Sequence, residues 1–113
     1  MNQLSKQAEE IADYYGLDSQ MSVAQEECAE LIQAISKLRR AGKWPQETPE
    51  GRQAYTKARY LVSEEMADVV NLLIQMSHLL ANETIVLEYL KHKLARTQRK
   101  IKEEADGRCK ITN

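Results

Sequence analysis

The stretch EECAELIQA starts at Glu26 and EEMADVVNL starts at Glu64. Each puts two glutamates, two small or apolar residues and a third acid inside an apolar segment, and the pattern recurs after thirty-eight residues. Successive residues of an α-helix turn by about 100°, so with Glu27 at zero Leu38 falls at about 20°, Leu31 at about 40° and Ala34 at about 340°. Glu27 therefore sits inside an apolar stripe, and Glu30 flanks it at about 300°. With Glu65 at zero, Met76, Val69 and Leu72 take the same three directions and Asp68 takes that of Glu30. Each helix aims one glutamate at the core and sets a second acid three residues on.

An isolated carboxylate in a packed interior is costly unless it is neutralised, paired or bound to a metal, and four together repel. A divalent cation resolves both problems. Mg²⁺ or Mn²⁺ prefers oxygen ligands, and Mg²⁺ keeps waters that substrate phosphates can replace. A single E-x-x-E is common on solvated helix faces, but two copies at one angle within apolar segments point to a metal. A di-iron carboxylate bundle would need Glu-x-x-His motifs. The residues three before His78 and His92 are Gln75 and Tyr89, which excludes that pattern.

The elements that must position these acids read as helices. Leu4, Ala8, Ile11 and Tyr15 set a first helix over about 2–15, ended by Gly16. Ser22 with Gln25 reads as a capping box opening a second, whose stripe is Val23, Ala24, Leu31, Ile35 and Leu38 and which closes at Gly42. Cys28 falls at an apolar position and reads as a small core residue. GKWPQETPEG forms the one loop, with Thr48-Pro49 able to cap and begin a third helix although Gly51 counts against that start, and the strong third segment runs from about Ala54 to Ala81. Asn82 can cap a fourth helix, expected to end at Gly107. No strand-like alternation appears. The expectation is a single all-α domain over 1–113, an antiparallel four-helix bundle.

Composition agrees. The 113 residues include one Trp, five Tyr, no Phe, four Gly and two Pro, which leaves little for strands and turns. Net charge is −1, so no overall field draws nucleic acid. Signs alternate along the chain: residues 1–35 hold seven acids and one base, and residues 36–62 hold seven bases and two acids. That suits a site for both a cation and an anion, and equally suits solvated helix faces of alternating sign. No apolar run approaches the roughly 18 residues of a membrane span, and the N-terminus lacks a signal-peptide core, so a cytoplasmic location is expected.

EECAE followed by EEMAD resembles the E-E-x-x-E…E-x-x-D signature of the all-α nucleoside triphosphate pyrophosphatases, over roughly residues 20–105. That superfamily includes MazG-like proteins, dimeric dUTPases, dCTP pyrophosphatases and phosphoribosyl-ATP pyrophosphatase. The MazG-like branch is the nearest in character, on the basic helix YLKHKLARTQRKI. The resemblance implies that Glu27, Glu30, Glu65 and Asp68 bind Mg²⁺, with Mn²⁺ as a substitute. It implies cleavage of a (d)NTP between the α- and β-phosphates to a monophosphate and pyrophosphate. Glu26 is then a candidate proton acceptor, with a surface glutamate as the alternative; Glu64 stands equivalently on the other helix. Lys93 and Arg96, followed by Arg99, are candidates for phosphate contacts, as is Lys37, and Asn71 for a ribose or base. Trp44 is a candidate base stacker or a packer of the loop. The gap from Glu30 to Glu65 exceeds the family's usual spacing. Amphipathic helices this long in so short a chain leave apolar surface open, and family members dimerise or form tetramers, so a homo-oligomer is expected. Phosphoribosyl-ATP hydrolysis and a noncatalytic, cation-binding bundle are the competing readings.

Overall fold

The computed structural model describes residues 2–112, and side chains from residue 3 to residue 108. Four helices follow in order: α1 (Asn2–Tyr15), α2 (Leu17–Ala41), α3 (Pro49–Leu80) and α4 (Glu83–Thr112). No strand occurs among the described residues, so the chain is all-α. It divides into two compact units, Met1–Leu80 and Ala81–Asn113.

In the first unit α2 lies along α3, and α1 packs mainly on α3. Contacts give the directions. Gln20 bonds Gln75, Glu27 and Glu30 meet Glu65, and Gly42 lies by Tyr55, so α2 and α3 run antiparallel. Leu4 and Ala8 share a groove with Met66, Val70 and Ile74, and Asp13 reaches His78, so α1 runs parallel to α3.

Among the described residues the buried apolar ones are mostly alanine: Ala8, Ala12, Ala24, Ala34, Ala41 and Ala58, with Leu72 the one large side chain. Small side chains bring helix axes close. They also bury little apolar area, and each buried methylene is worth only about 0.8 kcal/mol. Many large apolar residues remain exposed, among them Leu4, Ile32, Val70 and Leu73.

α1 ends where expected. α2, however, begins at Leu17 rather than at Ser22, because Gly16 turns the chain at φ 85°, ψ 167° and the next residue is already helical. That backbone region is essentially reserved for glycine. Ser22 is thus inside α2 and caps nothing. α3 begins at Pro49, ahead of the periodicity at Ala54: the Thr48 hydroxyl accepts a bond from Gly51 N–H at 3.1 Å, and Pro49 takes the first helical position. The irregular connection shrinks to residues 42–48, tied by Arg52 donating to the carbonyls of Gln46 and Glu47 and by the Gln46 amide donating to the Trp44 carbonyl. The long Glu30–Glu65 gap therefore lengthens α2 and α3 instead of making a large loop. Cys28 is exposed, not core, since it faces away from the α2–α3 seam.

α4 forms the second unit and runs through Gly107, where an end was expected; one glycine at the helix interior costs only about 1 kcal/mol. Asn82 stands before its first residue and its carbonyl accepts from Val86 N–H, but its Oδ1 is shielded and makes no hydrogen bond, so it provides no side-chain cap.

Candidate metal centre

Seven-residue spacing governs the seam. On α2 the row Gln20, Glu27, Ala34, Ala41 faces α3, and on α3 the row Ala58, Glu65, Leu72 faces back, with Gly51, seven residues earlier, buried against the connection. Glu27 and Glu65 each interrupt a row of otherwise buried residues, and both are half-buried. Antiparallel packing brings them together. Carboxylate oxygens of Glu27, Glu30 and Glu65 all lie within 4.8 Å of one another. Asp68, half-buried one turn beyond Glu65, is not part of this trio but acts electrostatically on both core glutamates.

The electrostatics follow from this crowding. Loss of water first, then the charges of Glu30, Asp68 and Glu65, push the Glu27 carboxyl from its ordinary 4.5 up to about 7. Glu65 is raised as well, by desolvation first and then by Glu30 and Asp68, with Glu64 adding a smaller push. Glu30 lies within hydrogen-bond reach of both and favours their protonated forms.

The donor set fits a hard cation. Oε2 of Glu27 and Oε2 of Glu65 are shielded from water and lack any hydrogen-bond partner. Buried polar atoms are normally satisfied, so a shielded, unpartnered oxygen on each of two neighbouring glutamates leaves room for a proton or a cation. Metal–oxygen bonds of about 2.0–2.6 Å put opposite ligands about 4–5 Å apart, the span of this trio.

The remaining predicted residues are distributed as follows. Glu26 is exposed on α2 beside the trio, and Lys37 is exposed two turns beyond Glu30. Asn71, three residues past Asp68, is exposed; its Oδ1 accepts from Gln75 at 3.0 Å, and its side-chain N–H groups donate no hydrogen bond among the described residues. Lys93 and Arg96 are exposed on α4, in the second unit. Trp44 stands 55% exposed in the α2–α3 connection.

Two polar residues of the seam escape a reading of the paired motifs. Gln20 and Gln75 are 5% and 1% exposed, and the Gln20 amide donates to Gln75 Oε1 at 2.6 Å. Gln20 points within about 20° of Glu27, a signal present in the sequence. A helix start set at Ser22 leaves it outside the periodicity. No protein-family model, no curated protein and no solved structure matches the chain.

Proposed function

We propose that the protein is a MazG-like, Mg²⁺-dependent nucleoside triphosphate pyrophosphohydrolase, a homo-oligomer that releases pyrophosphate from (d)NTPs. The observation that carries the reading is the meeting of two E-E-x-x-[DE] motifs across an antiparallel seam, with an orphaned oxygen on each core glutamate. A solvated acidic face would not leave those atoms shielded and unpartnered.

Glu27, Glu65 and Glu30 hold the cation, with Asp68 flanking. When bound, a divalent ion neutralises triphosphate charge and acidifies water in its shell. The chain's own groups do the rest. Glu26, exposed beside the trio, accepts the proton of the attacking water. Asn71 offers its unused amide N–H groups to ribose or base while Gln75 holds its oxygen. Lys37, exposed two turns beyond Glu30, supplies a cationic group for phosphate oxygens.

Product analysis tests this. The protein with Mg²⁺ is offered NTPs, dNTPs, damaged nucleotides and phosphoribosyl-ATP. Monophosphate plus pyrophosphate is expected, with Glu27→Gln losing more than the about 10–100-fold that removal of an outer-shell partner costs and Asp68→Asn losing about that much. Diphosphate plus phosphate overturns the reaction assignment. Absence of turnover with intact Mn²⁺ binding leaves a cation-binding bundle.

A further inference from the structure

A seam built of alanine is permissive. Ala34 and Ala41 stand seven residues apart on α2, as do Gly51 and Ala58 on α3, so a shift of α2 along α3 by seven residues would set one small residue in place of another there. Only a few side chains can tell one register from another. Glu27 and Glu65 are not suited to the task, because the shielded Oε2 of each makes no hydrogen bond across the seam. The buried amides are.

Gln75 is the largest fully buried side chain among the described residues. It donates to Asn71 Oδ1 at 3.0 Å and accepts from Gln20 at 2.6 Å, while Gln20 Oε1 accepts from the Ser19 hydroxyl at 3.3 Å. Only the Gln20–Gln75 bond crosses between helices in this chain of contacts. A slip of either helix breaks it and strands two buried amides, and an unpaired buried polar group is expensive. A single buried polar residue fixes register in coiled coils by the same logic. Gln20 lies seven residues before Glu27 on one helix, and Gln75 lies ten residues after Glu65 on the other, so the bond sits within the same seam as the acids.

We propose that Gln20 and Gln75 are positioning residues that pin the α2–α3 register and so hold Glu27 and Glu30 opposite Glu65. The link to metal affinity rests on the cation reading above; the register pin does not.

The test is the double variant Gln20→Met/Gln75→Met, which keeps side-chain length and removes both buried amides at once. Replacing a buried polar pair by apolar groups of like shape is nearly neutral for stability. Its melting temperature is therefore expected close to that of the parent. Spin labels at exposed Ile32 and Tyr60, in a Cys28→Ser/Cys109→Ser background, read the register directly. A slip of seven residues moves a label by about 10 Å. The parent is expected to give one distance and the double variant a second or broadened one, with Mn²⁺ affinity by calorimetry falling about tenfold or more. An unchanged distance distribution overturns the pin, as does unchanged Mn²⁺ affinity in a parent that binds the ion. A parent that binds no Mn²⁺ removes the cation reading alone, and the label distances still decide the register. If the double variant does not fold, Gln20→Met alone, which leaves Gln75 bonded to Asn71, serves for the same comparison.

Discussion

Glu27 carries a proton in the folded, metal-free chain at pH values where an unfolded chain has already released it. Its carboxyl stands at about 7 against an ordinary 4.5, and Glu65 is shifted the same way. The folded state thus binds more protons between those values, so stability is greatest below about 4.5, falls as pH rises through 7 and is level beyond. Thermal melts of the apo protein are expected to show that slope. Glu27→Gln, which cannot ionise, is expected to flatten it and to raise the melting temperature at pH 8. A cation must displace the same protons, so Mg²⁺ is expected to raise the melting temperature at pH 8 and to have little effect near pH 5. A melting temperature indifferent to both pH and Mg²⁺ would remove the carboxylate cluster from any functional account.

Elements are held in place by a small number of backbone constraints that can be tested singly. Gly51, in the first turn of α3, lies so close to the connection that a Cβ there would collide with the Pro45 carbonyl oxygen. Alanine is the better helix former, yet Gly51→Ala is expected to destabilise by about 1–3 kcal/mol, since backbone must move to admit it. At the other end of α3, Ala81 takes φ 51°, a left-handed conformation that penalises any Cβ by about 1–2 kcal/mol. Ala81→Gly is expected to recover roughly that amount. Denaturant melts of both variants check the opposite signs. The two cases explain why element ends were the least legible part of the sequence. Gly51 obscures a helix start because its reason is a contact with Pro45, and Ser22 imitates a cap because local chemistry cannot show that Gly16 has already turned the chain.

At the scale of the whole molecule the imbalance is between a core of alanines and a surface rich in large apolar groups. In the first unit Leu4, Ile32, Val70 and Leu73 are exposed, and α4 exposes Leu87, Leu90 and Leu94. Leu4 and Val70 line one groove between α1 and α3, and exposed apolar surface of this kind suits an association face. The protein is expected to sediment as a dimer or tetramer, and Val70→Lys or Leu94→Lys to shift it toward monomer. A monomer at high micromolar concentration would count against the homo-oligomer.

Helical periodicity determined the all-α class and the inward direction of Glu27 and Glu65, because a 100° turn per residue is a local property of the chain. It also determined that each core glutamate has an acid three residues on. Tertiary structure decided which acids meet. It placed Glu30 with the two core glutamates and left Asp68 flanking, since that depends on how far α2 slides along α3. It buried Gln20 and Gln75 against each other and turned Cys28 outward. Register and facing between helices are non-local quantities, set by the few side chains that touch across the seam, and the order of residues along one helix does not contain them.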